Sequence, residues 1–90
     1  MRQIPIEPIT KNEFYQRFKE NALVLFAPDE FIIEYKPKEI HIKNFQSKRT
    51  LFIITFDGVF IYCKMNKEFD DDYNQETYEV LKEIIEEIAP

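Results

Sequence analysis

Between Glu30 and Met65 the residues alternate in polarity with a period of two, and that alternation narrows the fold more than any other feature of the chain. From Glu30 to Lys36, Phe31, Ile33 and Tyr35 fall on one side and Glu30, Glu34 and Lys36 on the other, with Ile32 the exception. Pro37-Lys38 interrupts the run. Glu39 to Phe45 alternates again, with Ile40 and Ile42 inward and His41 and Lys43 outward. Thr50 to Phe56 is β-branched and aromatic and apolar on both faces. Val59 to Met65 follows Asp57-Gly58, a pair suited to a type I′ hairpin turn because both central residues there need positive φ. The apolar run from Ala22 to Ala27, ended by Pro28-Asp29, reads as a further short strand. The expectation is a meander of about five antiparallel strands, flat or curled into a roll.

The period changes at both ends. Thr10-Lys11-Asn12-Glu13 is a capping-box pattern, with Ile9 and Phe14 placed for a hydrophobic staple. A helix over 11–21 follows, with Phe14, Phe18 and Ala22 at four-residue spacing and Tyr15 beside them. A second helix is expected over 75–88, capped by Asp72 or Asn74, with Tyr78, Leu81, Ile85 and Ile88 on one face, widened by Val80 and Ile84. Residues 1–9 read as an extended arm whose prolines, Pro5 and Pro8, keep it out of the middle of a sheet. The fold class is α+β, a single domain over residues 1–90, with an N-terminal and a C-terminal helix packed on the sheet.

Composition closes many routes to chemistry. Cys63, His41, Gly58 and Ser47 are the only cysteine, histidine, glycine and serine. One cysteine allows no internal disulfide, and one histidine with one cysteine cannot build a His-rich or Cys-rich zinc site. A Gly-rich phosphate loop needs several glycines, because the backbone must approach the phosphates closely. His41 reads as a solvated outward side chain and Cys63 as a thiol buried beside Val59 and Ile61. Asp70, Asp72 and Asn74 have the opening spacing of a calcium loop, but Gln75 and Leu81 stand where that loop needs its glycine and its bidentate glutamate. The expectation is a protein with no catalytic residues, metal ligands or cofactor. Met1 to Pro8 does not read as a signal peptide, and no apolar run approaches the roughly 18–20 residues that span a bilayer. A cytoplasmic protein with no membrane partner is expected.

Charge is strongly segregated. The formal net charge of −5 combines a net −2 over residues 1–34, +4 over 35–50 and −7 over 51–90. The basic block supplies the candidate nucleic-acid contacts: Lys36, Lys38, Lys43, Lys48 and Arg49, on a hairpin over residues 36–49, with Tyr35 or Phe45 available to stack on a base. Lysines on an edge strand also block sheet-to-sheet aggregation, and that reading suits an acidic domain better. The acidic block supplies the candidate partner face: Glu76, Glu79, Glu83, Glu86 and Glu87 on the second helix, with only Lys82 among them. Like charges four residues apart and acids in a last helical turn oppose helix stability, so helix formation alone does not account for them. The leading expectation is an interaction protein that binds a protein partner, a homodimer included, through the acidic helix or an apolar sheet face. The alternative is a nucleic-acid binder using the basic hairpin.

Overall fold

The computed structural model describes residues 2–5, 10–57, 60–69 and 71–88, with β1 described by its backbone alone. Its elements run β1 (Arg2–Pro5), α1 (Lys11–Ala22), β2 (Phe31–Tyr35), β3 (Glu39–Asn44), β4 (Thr50–Phe56), β5 (Phe60–Met65), a 3-10 turn (Lys67–Phe69) and α2 (Asp72–Ile88). The class is α+β. Four strands, β2 to β5, make an antiparallel meander, and β1 adds antiparallel to β5, giving the order β1-β5-β4-β3-β2. The two ends of that order do not pair, so the sheet is open. β1 lies at an edge, where Pro5 removes no central ladder bond. The Ile9 staple, the Gly58 half of the expected hairpin turn and Asp70 lie outside the described residues.

The meander is one strand shorter than its sequence suggests. Residues 23–25 are turns, not a strand. Phe26 N–H donates to the Ala22 carbonyl at 2.7 Å, an α-type bond that carries the helical path one turn further. Ala22 and Phe26 are buried while Leu23 and Val24 stand 61% and 90% exposed. The governing period is four: Phe14, Phe18, Ala22 and Phe26 form one buried line. α1 begins where expected, with Thr10 accepting from Glu13 N–H at 3.1 Å. α2 begins earlier than expected. Asp71, not Asp72 or Asn74, is its cap, accepting from Asn74 N–H at 2.7 Å, while Asn74 is itself buried.

Both helices pack on one face of the sheet. The inner row of β4 carries Phe52, Ile54 and Phe56, all buried. Phe56 stacks on Phe14 of α1 at 5.7 Å, and Phe52 stacks on Tyr78 of α2 at 6.1 Å while meeting Phe26 at 6.0 Å. The Tyr78 hydroxyl donates to the Cys63 carbonyl at 2.6 Å, pinning α2 across β5. Arg17 of α1 donates to the Ile88 carbonyl at 3.0 Å, supplying the cation that the last turn of α2 lacks in its own sequence.

β4 reads as apolar on both faces in sequence because it contains a bulge. Ile42 pairs with Phe52 but Lys43 pairs with Thr50, leaving Leu51 as the extra residue. Leu51 joins the core, so Leu51 and Phe52 are buried in succession. Thr50, Ile53 and Thr55 remain for the outer face of this strand, one apolar residue among two threonines. Because Phe52 touches both helical layers, Phe52→Ala is expected to cost about 3–5 kcal/mol of stability, read from the midpoint of chemical denaturation.

Candidate interaction surfaces

The face of the sheet away from the helices is mixed rather than apolar. Strand register places Glu34, His41, Ile53 and Lys64 in one row across β2 to β5, and Glu39, Thr55 and Tyr62 in the next. Lys43 and His41 separate Ile32 from Ile53, while Thr55 and Tyr62 lie between Ile53 and Phe60. Glu34 takes Lys43 at 2.9 Å and Lys36 at 4.0 Å. His41 Nε2 lies 2.9 Å from Glu39 Oε1, and its side chain is only 16% exposed. The expected solvated histidine is thus corrected: it does point outward, but a carboxylate two residues earlier on the same strand face holds it. Period-two spacing was the signal for this pair. His41 and Cys63 do not meet, because Cys63 is buried on the inner face.

The carboxylates on this face feel their partners. The hydrogen bond from Lys43, aided by the charges of Lys43, Lys36 and His41, holds Glu34 below the usual carboxylate range. The hydrogen bond to His41 does the same for Glu39, with Thr55 and Lys36 adding to it. Burial raises the Tyr15 phenol, with Glu39 adding to the effect, and burial raises that of Tyr35.

The basic block is divided by the fold. Lys36 and Lys38 flank the β2–β3 turn, while Lys48 and Arg49 lie beyond the opposite end of β3. A strand of this length is roughly 17 Å, twice the Debye length at physiological salt. Lys43 lies between them, bound to Glu34. At the far end the Asn44 side chain accepts from Gln46 and Ser47 N–H, and Lys48 takes a left-handed φ of 63°. Lys48 Nζ then donates to the Phe45 carbonyl at 2.6 Å and sits 4.3 Å from the Phe45 ring centroid. Arg49 pairs with Glu68 at 3.4 Å.

The acidic block is gathered by the fold. In α2, Glu76, Glu79, Glu83, Glu86 and Glu87 are all exposed. At 3.6 residues per turn they fall within an arc of about 100°, opposite the buried line of Asn74, Thr77, Leu81, Ile85 and Ile88. Lys82 leaves this stripe. It donates to Glu79 at 2.6 Å and lies 4.4 Å from the Tyr78 ring centroid, with its side chain only 11% exposed. Beside the stripe, two turns apart, stand Tyr73 and Val80, 62% and 42% exposed. These two are the residues that sequence reasoning missed, since Val80 reads as part of the buried face.

Among the described residues no group of three or more His, Cys, Asp or Glu side chains could hold a metal ion, and no helix is long and apolar enough to cross a membrane. Compared with known proteins, the chain matches no family model, no curated protein and no solved structure.

The lowered carboxyls give a pH dependence. A glutamate whose folded pKa lies below its unfolded one contributes stability that is present above the unfolded value and lost as pH falls through the folded value. Stability is therefore expected to fall from just above the ordinary glutamate range (about 4.3) downward. Glu34→Gln and Glu39→Gln are each expected to flatten that acid limb, measured as urea midpoint against pH.

Proposed function

We propose that this chain is a small non-catalytic interaction protein that engages a protein partner through the outward face of α2. One observation carries the reading: the acidic stripe from Glu76 to Glu87 runs beside exposed Tyr73 and Val80. A solubility surface needs charge but not an apolar seam. A docking surface needs both, because apolar contact supplies affinity while charge supplies register and encounter rate. Tyrosine is well suited to the first role, having a large ring with little rotamer entropy to lose.

Two further observations support this reading. Lys82 is folded down onto Tyr78 and answers one member of the stripe, Glu79, so five glutamates against one lysine leave the stripe net negative. A catalytic alternative has little to draw on, since His41 and Cys63 lie on opposite faces of the sheet. The partner that suits the surface is a basic amphipathic helix with an apolar line bordered by Lys or Arg.

Nucleic-acid binding through Lys36, Lys38, Lys43, Lys48 and Arg49 is the second reading. It is favoured by Phe45, which is 43% exposed beside Lys48 and available for base stacking. Its cations, however, are spread along β3 and several are matched by carboxylates.

The two readings separate in one pair of titrations. With a lysine-rich amphipathic helical peptide, the amide resonances of Tyr73, Glu76, Val80 and Glu83 are expected to move, with affinity falling as salt rises. The triple change Glu76→Lys, Glu83→Lys and Glu87→Lys is expected to remove the binding. With labelled single-stranded DNA and RNA at low salt, no anisotropy change is expected. Salt-sensitive nucleic-acid binding that Lys36→Glu, Lys38→Glu, Lys48→Glu and Arg49→Glu abolish, together with an inert α2, would replace the first reading by the second.

A further inference from the structure

The two edges of the sheet are built differently. The β1 edge carries Pro5, which has no N–H to offer a neighbour. The β2 edge, Phe31–Tyr35, contains no proline and no lysine. The backbone bonds at the ends of β2 show which of its groups face outward. Lys36 N–H donates to the Glu39 carbonyl and Phe45 N–H donates to the Glu30 carbonyl. Antiparallel alternation then assigns residues 30, 32, 34 and 36 to the β3 side, and leaves the backbone groups of Phe31, Ile33 and Tyr35 directed away from the sheet. The Phe31 N–H is already taken by the Ala27 carbonyl at 2.9 Å. The Phe31 carbonyl and both groups of Ile33 and Tyr35 make up the open edge.

Alongside this edge runs a largely apolar groove of about 270 Å³, between the end of α1 and the inner row of β2, lined by Leu23, Phe26, Phe31, Ile33 and Tyr35 among others, with Lys19 lying over the Tyr35 ring at 4.7 Å. Leu23, which lines it, and the next residue Val24 are the two most exposed large aliphatic side chains among the described residues. An added strand would find open donors and acceptors on the edge and a groove for its inward side chains, the two requirements of strand addition.

We propose that the occupant is β2 of a second copy of this chain, paired antiparallel about a two-fold axis at Ile33. Self-complementarity selects that register. Centred on Ile33, all five residues of β2 overlap: Phe31 faces the partner's Tyr35, and Ile33 faces its own counterpart. Each Ile33 N–H meets the other Ile33 carbonyl, and each Tyr35 N–H meets the other Phe31 carbonyl; the two reciprocal bonds from Phe31 N–H to the Tyr35 carbonyl are the ones that the Ala27 contact withholds, so the ladder has four of its six bonds. On the outer face Glu30 comes opposite the partner's Lys36, twice over. A shift of the centre to residue 32 would set Glu30 against Glu34, and a shift to residue 34 would set Glu34 against itself. Opposite charges across a strand pair stabilise it and like charges oppose it. The symmetric dimer buries the groove with Leu23 and both open edges, and it shares no residue with the α2 surface.

Sedimentation velocity on the whole chain, up to high micromolar concentration, tests this. The native chain is expected to dimerise. Lys36→Glu and Glu30→Lys are each expected to raise the dimer dissociation constant by roughly tenfold, since each puts two like-charged pairs across the ladder. The double variant Glu30→Lys with Lys36→Glu is expected to restore it. Both positions are exposed, so circular dichroism should show the native fold in every variant. A native chain that stays monomeric throughout, or a dimer indifferent to the single changes, or one that the double swap fails to restore, would overturn the proposal.

Discussion

The structure depends on one-sided burial of the sheet under two helices. Phe52 is where that burial is organised: its ring meets Phe26 at the end of α1's buried line and Tyr78 on α2. With one core on one side, the inner row of every strand in the meander is committed to packing. What remains for recognition is the outer sheet face, the sheet edges, the outward faces of the helices and the loops between elements. A chain of 90 residues has little surface to spare, because small domains bury a smaller share of their unfolded area than large ones do.

Charges that look segregated along the sequence are redistributed in space. The basic block, net +4 over residues 35–50, does not make a patch. β3 carries its members to opposite ends, and Glu34 and Glu68 answer Lys36, Lys43 and Arg49. The acidic block does the reverse, because a helix brings residues three and four apart onto one face. The absence of a cation in the last turn of α2 is met from elsewhere in the fold by Arg17. Unfavourable spacing within one helix is therefore a weaker sign of function than it looks in sequence. The combination of the stripe with exposed Tyr73 and Val80 is a stronger one.

Legibility followed the range of the interaction. The strands β2 to β5 and the inward positions Ile40, Ile42, Phe52 and Ile54 were readable because a sheet imposes a period of two on neighbours in sequence. Thr10 as the α1 cap was readable for the same local reason. The run from Ala22 to Ala27 was misread as a strand because its apolar density hid a period of four, visible only when Phe26 is counted with Phe14, Phe18 and Ala22. The cap of α2 shifted to Asp71 because three consecutive aspartates offer the same chemistry, and packing chose among them.

The sequence by itself determined the α+β class, most of the strands and the chemical identity of each candidate surface, since these follow from local periodicity and residue type. Tertiary structure decided which candidates became surfaces. The bulge at Leu51 drew one apolar side chain of β4 into the core and left the outer face mixed. Strand order left β2 at one edge with a groove beside it. Helix rotation left Val80 outside the buried line. Each outcome depends on contacts between residues far apart in the chain. The preferences that periodicity expresses say nothing of which distant partner a face will meet.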